Sequence, residues 1–218
     1  METNLHREVN QLKGRILELG ALVENSLRKA VLSVTQRDAQ LAREVMEGDE
    51  EIDRMEVDIE EDCLEILARY QPVASDLRFI VAVLKLNNDL ERIGDLAVNI
   101  AQRSAALAAE VPQEMPYDFK GMAEKVQQML KGCLDALVNM DADLARKVHA
   151  SDSEVDALHR DVYRRVYEGI DRNPRDARFL IPVLTIARHL ERIADHATNI
   201  AEDVIYTVEG KIRRHQQL

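Results

Sequence analysis

The segment DLERIGDLAVNIA (residues 89–101) lines up with HLERIADHATNIA (189–201) at an offset of 100, with nine of thirteen positions identical; chance would give about one. Upstream, RDAQLAREV (37–45) lines up with MDADLARKV (140–148) at an offset of 103, matching at six of nine positions, and under that offset Asp49 and Asp53 fall on Asp152 and Asp156. The chain is therefore two copies of one unit of about a hundred residues. Whatever fold it takes, it must take twice. The offset changes by three between Asp62 and Asp76, where QPVAS (71–75) answers DRNPR (171–175). That stretch reads as a connector, where a change of length costs little.

Each unit reads as three long amphipathic helices. In the first, Leu5, Val9, Leu12, Ile16, Leu19, Val23, Leu27, Ala30 and Val34 recur at steps of three and four, one stripe of a helix that ends near Arg37. The second starts at Asp38 as its amino-terminal cap, carries Leu41, Val45, Ile52, Met55, Ile59, Cys63 and Ile66, and stops at Pro72. The third runs from about Ser75 to about Glu110 on Leu86, Leu90, Ile93, Ala97 and Ile100. Helices of about 30 residues, ~45 Å long, cannot bury such stripes alone, and short connections make neighbours antiparallel. The expected fold is all-α: two pseudo-symmetric antiparallel three-helix bundles, six helices in all, spanning 1–110 and 117–218. Residues 111–116, VPQEMP, form the linker. Pro182 falls inside the sixth helix, where a kink is expected because the carbonyl of Arg178 loses its bond.

Composition supports helices. Glycine (8), proline (5) and aromatics (4%) are scarce and Trp is absent, which leaves few turn residues and β-formers, while 46% hydrophobic residues suffice for a core. The longest apolar run is the six residues Phe79 to Leu84, far short of a membrane span. The polar start METNLHREVNQL has no secretory apolar region, so the cytoplasm is the expected address. Cys63 and Cys133 make no CxxC and read as small core residues. With 29 Lys+Arg against 40 Asp+Glu, a net charge of −11, the surface repels nucleic-acid phosphate, so direct nucleic-acid binding is not expected. The basic cluster is the tail Lys211, Arg213 and Arg214.

The chemistry-bearing pattern is acidic. Asn88, Glu91, Asp95 and Asn99 share a helix face nearly opposite the apolar stripe, and Glu191, Asp195 and Asn199 repeat it, with Arg188 in place of the first asparagine. Asp49/Asp53 and Asp152/Asp156 are spaced i to i+4; Glu56 and Glu60 extend the first pair, His159 and Tyr163 the second. Like charges at this spacing cost about 0.2–0.5 kcal/mol, so their recurrence asks for a reason. If the second and third helices of a unit are adjacent, each face offers up to about eight carboxylate oxygens, a set suited to a divalent or trivalent cation. The alternative is an ordinary solvated face.

Other chemistries have less to stand on. No ExxH step for a di-iron bundle, Gly-rich phosphate loop, G-x-S-x-G, HExxH or Cys/His nucleophile occurs, so no catalytic residue is assigned. His159 reads as a surface histidine. His189 and His196, which replace Asp89 and Leu96, either tune the second acidic face or simply face solvent. Arg92 and Arg192, and likewise Arg78 and Arg178, read as partners of nearby side chains rather than as a docking device.

The runs RFIVAVLKLNNDLERIGDLAVNIA (78–101) and RFLIPVLTIARHLERIADHATNIAED (178–203) resemble the PhoU family of bacterial phosphate-signalling proteins, and the resemblance covers nearly the whole chain. It implies two three-helix bundles with E/DxxxD motifs that hold metal clusters, here Asp49/Asp53, Glu91/Asp95, Asp152/Asp156 and Glu191/Asp195. The metal stays open among iron, zinc, manganese and magnesium. It also implies a homodimeric cytoplasmic adaptor, a negative regulator of phosphate-starvation signalling and phosphate uptake. The partners it implies are the ATPase subunit of a phosphate ABC transporter and a sensor histidine kinase. Two rival readings are a carboxylate-based metalloenzyme or metal store and a purely structural helical scaffold.

Overall fold

The computed structural model describes residues 4–110 and 113–210. Of the expected linker, Val111 and Pro112 lie outside the described residues, as does the basic tail Lys211, Arg213 and Arg214. The elements are α1 (Asn4–Gln36), α2 (Ala39–Tyr70), α3 (Ala74–Ala108), α4 (Phe119–Asn139), α5 (Ala142–Arg172), a 3₁₀ turn (Pro174–Asp176) and α6 (Ala177–Glu209). No strand occurs among the described residues, and none of the described helices is long and apolar enough to cross a membrane.

The turns between helices are built from the same parts in both units. Arg37 and Met140, equivalent at the offset of 103, each adopt a left-handed conformation (φ 53° and 51°). The next residue then donates its backbone N–H five residues back, Asp38 to Ser33 at 3.0 Å and Asp141 to Ala136 at 2.9 Å, which closes off the preceding helix. The same aspartates cap the following helix: Asp38 accepts from the N–H groups of Gln40 and Leu41, Asp141 from those of Asp143 and Leu144. Two-residue turns of this kind fold each pair of helices back on itself. The three-residue change of offset has a physical counterpart. Gln71–Val73 join α2 to α3, whereas α5 passes through Asn173 straight into the 3₁₀ turn, which stands where α3 has its first turn.

Within each unit the first, second and third helices all pack on one another, and the units meet chiefly through α3 against α6, with α1 against α4 beside them. The core is continuous across this junction. The side chains of Leu86, Leu90, Ile93 and Ile100 in α3 and Ile186, Leu190, Ile193 and Ile200 in α6 are all fully buried. Because α3 touches α1, α2 and α6, its buried surface is wider than the sequence stripe and takes in Ile80, Val83, Asn87, Gly94, Leu96 and Ser104 as well. Close approach of α1 to α4 is set by Gly20, where a Cβ would stand 2.8 Å from Leu134. Helix α6 runs unbroken through Pro182, which sits in its second turn, and the affected carbonyl belongs to the exposed Arg178.

Candidate metal-binding faces

The first acidic face lies along the seam between α2 and α3. At Gly94 the two helices draw close: a Cβ there would stand 3.3 Å from Ile52 and 3.5 Å from Oδ1 of Asp49. This approach seats Asp49 over α3, and its Oδ1 is buried with no hydrogen-bond partner among the described residues. Burial, reinforced by the neighbouring charges of Asp53 and Asp95, raises the Asp49 carboxyl to about 6. Glu91 is raised as well, first by burial and then by Asp95, with Arg92 opposing. Carboxylates on two helices therefore feel one another across the seam. Glu56 extends the row and is likewise raised, by burial and then by Glu60 and Asp53.

The second face repeats this between α5 and α6. Asp195 is raised to about 6 by burial, then by Glu191, Asp152 and Asp156. Glu191 and Asp152 are raised by burial and then by Asp156. Here the protein supplies some of its own compensation. The Thr198 hydroxyl donates to Asp152 at 3.3 Å, His159 Nδ1 stands 3.9 Å from Glu191, and Arg160 reaches Asp156 at 3.7 Å. His159 is half-buried, and that burial lowers its pKa.

The paired acids stay off the core, none of the eight being buried and Asp53 and Asp195 standing exposed, yet the rows are less solvated than the helical wheel alone suggests. Glu91 and Glu191 side chains are only 22% and 24% exposed, because the second helix of each unit covers the flank of the third. Asn88 and Arg92 are exposed as well. Arg92 pairs with Glu91 and Asp95, both at 3.2 Å, as its position in the helix predicts.

The donors are hard oxygens in the number a cation of that class takes, and the orphaned Asp49 oxygen together with the mutual repulsion suits such an ion in the first face. Among the described residues, however, no three His, Cys, Asp or Glu side chains are grouped to hold a metal ion. The second face, with Thr198, His159 and Arg160 drawn in, suits a cation less well.

Sequence reasoning missed a polar seam between the two units. Lys85 donates to Asp203 at 2.8 Å and His196 Nδ1 meets Asp89 at 2.7 Å, while within the second unit His149 stands 3.3 Å from Glu202. The first two pairs join α3 to α6 beside a groove of about 720 Å³ lined by Leu84, Asn88, Asn199 and Glu202 among others. The signal lay where the repeat breaks. Asp89 answers His189 and Leu96 answers His196, so the copies differ at the two places where one supplies an acid and the other its base. Asn87 was also missed; its amide donates to the backbone oxygen of Glu56 at 2.8 Å and ties α3 to α2 beyond the acidic face.

A family model described as the PhoU domain matches the chain twice, at residues 16–104 and 119–204. The chain belongs to the PhoU family. It is 40% identical to a phosphate-specific transport system accessory protein PhoU homolog of Pseudomonas putida, over 97% of this chain and 83% of that one. Its fold matches the crystal structure of PhoU from Pseudomonas aeruginosa with a TM-score of 0.91, at 39% identity, covering 95% of this chain and all (100%) of that one. The phosphate transport system regulatory protein PhoU from Streptococcus pneumoniae matches at a TM-score of 0.85 and 28% identity, over 96% and 99% of the two chains. The two PhoU-domain matches enclose both acidic faces: Asp49, Asp53, Glu91 and Asp95 in the first, Asp152, Asp156, Glu191 and Asp195 in the second.

Proposed function

We propose that this protein regulates phosphate transport as an accessory to the transport system, and more finely that it is a cytoplasmic, homodimeric adaptor that represses phosphate-starvation signalling. Its partners in this reading are the ATPase subunit of a phosphate ABC transporter and a sensor histidine kinase. The observation that carries the reading is the double PhoU-domain match, together with a relative named as an accessory protein of phosphate-specific transport at 40% identity. A regulatory protein needs surfaces rather than a reaction centre, and the chain's notable polar features are surface rows and a seam, which supports the adaptor reading over catalysis.

The eight carboxylates of the two faces are the proposed metal ligands: Asp49, Asp53, Glu91 and Asp95, and Asp152, Asp156, Glu191 and Asp195. A bound divalent or trivalent cation would supply the positive charge that these clustered acids lack. The regulatory claim is tested by deleting the gene and following a phosphate-starvation reporter in phosphate-rich medium. Derepression, reversed by the intact gene, is the expected result; a reporter that stays silent refutes the repressor role.

A further inference from the structure

The polar groove at the seam has a twin, because α3 and α6 are equivalent helices at an offset of 100 and pack on one another. They run antiparallel there, as the Lys85–Asp203 and Asp89–His196 contacts show. Adding 100 to a position in α3 and subtracting 100 from one in α6 therefore carries one end of the seam onto the other. The groove is lined by Lys85, Asn88 and Asp89 of α3 and by Glu202 and Asp203 of α6, together with a leucine and an asparagine. Their counterparts are Thr185, Arg188 and His189 of α6 and Gln102 and Arg103 of α3, while the leucine and asparagine are unchanged. One base and three acids at the first end have become two arginines and a histidine at the second, with no acid among them.

At the first end the charges meet partners, and at the second they do not. Arg103 and Arg188 are exposed and form no ion pair or hydrogen bond among the described residues. Arg192, one turn beyond His189, is likewise exposed and unpaired, whereas its twin Arg92 binds Glu91 and Asp95. Glu191, which faces His159 of α5, feels both Arg188 and Arg192 but bonds to neither. His189 is half-buried, and its Nδ1 is enclosed without a partner, where the Nδ1 of His196 has Asp89. After burial, the charges of Arg192, Arg103 and Arg188 all oppose protonation of His189, so an arginine of α3 stands close to this ring on α6. In a chain of net charge −11, guanidinium groups gathered without a carboxylate repel one another, and a bound anion removes that cost.

We propose that Arg103, Arg188 and His189, flanked by Arg192, bind a multiply charged oxyanion of the phosphate class across the α3–α6 seam. Guanidinium forks match such oxygens with paired, charge-assisted hydrogen bonds, and the imidazole adds a further donor. Because the donors come from two helices, they approach from more than one side. That suits the spread oxygens of a phosphoryl group better than the single plane of a carboxylate. Inorganic phosphate and a small phosphate monoester share this chemistry. The site rests neither on the regulatory reading nor on bound metal.

The test is isothermal titration calorimetry on the full chain, stripped of metal with a chelating resin, near neutral pH and at low ionic strength. Inorganic phosphate and glycerol phosphate are titrated separately. Saturable one-to-one binding of at least one is expected, and the tighter of the two names the source of the phosphoryl group. Arg103→Gln with Arg188→Gln should weaken binding at least about tenfold, whereas Arg43→Gln, at an exposed position of α2, should leave it unchanged. Arg103→Asp with Thr185→Lys writes the Asp203–Lys85 pair into the twin place, and should abolish binding with the helical circular dichroism intact. No saturable binding of either ligand, binding that survives either double variant, or an equal loss in Arg43→Gln would overturn the proposal.

Discussion

Asp49 illustrates what partial burial, with acidic neighbours added, does to a single carboxylate. Its carboxyl is held at about 6 against an ordinary value of 3.8, so the folded chain binds its proton more tightly than the unfolded chain does. Below 3.8 both states are protonated; between 3.8 and about 6 stability falls as pH rises, and above that the whole penalty is present. Asp195 behaves the same way. In chelator, the urea midpoint is expected to fall from pH 4 to pH 6.5, and Asp49→Asn to flatten that fall; an unchanged slope would show that Asp49 is not the source. Added cation should raise the midpoint at neutral pH by mass action. Replacing Glu91 and Asp95 together by Gln and Asn should lower metal content by elemental analysis while leaving the helical signal intact, since both lie at the rim of the seam. Cys63 and Cys133 are fully buried, and burial raises both thiols, Cys63 to about 12. Neither should react with a disulfide reagent until the protein unfolds. The acidic rows were legible in the sequence because i to i+4 spacing fixes a shared face whatever the fold. The Asp89–His196 contact was not, because its partners sit 107 residues apart on different helices.

At the scale of the helix, caps and turns do much of the defining. Asp38→Ala and Asp141→Ala each remove a side chain that accepts two backbone N–H groups, and each is expected to cost about 1 kcal/mol by urea denaturation. Equal losses at the two sites would reflect the equivalence of the two turns; a loss at only one would mean that packing, not capping, holds the other. The Asp38 cap and the stop before Pro72 could be read directly, because aspartate is among the few side chains that accept the free N–H groups of a helix start and proline cannot continue a helix. The 3₁₀ turn at Pro174–Asp176 could not, since Pro174 favours any helical start and the missing three residues do not say which turn tightens. Pro182 broke no helix because the bond it removes lies near the start, where carbonyls such as that of the exposed Arg178 still reach water.

Across the molecule, α3 and α6 are shared property. Each belongs to its own bundle and also forms the wall of the other, so the halves are expected to unfold in a single urea transition seen identically by far-ultraviolet circular dichroism and tyrosine fluorescence. Two separated transitions would show that the junction is too weak to couple them. The duplication was legible from nine identities in thirteen, but the face by which the copies meet was not, since the apolar stripe of α3 gave no sign that three neighbours would divide it.

The seam between the halves also bears on ancestry. An early protein made of two identical units would have carried the same residue at 89 and 189 and the same residue at 96 and 196. In the present chain those twins have parted company, and the imidazole of His196 now answers Asp89 across the midline. A chimera built from two first halves would set that carboxylate opposite a leucine, and one built from two second halves would set histidine against histidine. The duplicates have become complementary spouses rather than interchangeable siblings, and neither can stand in for the other.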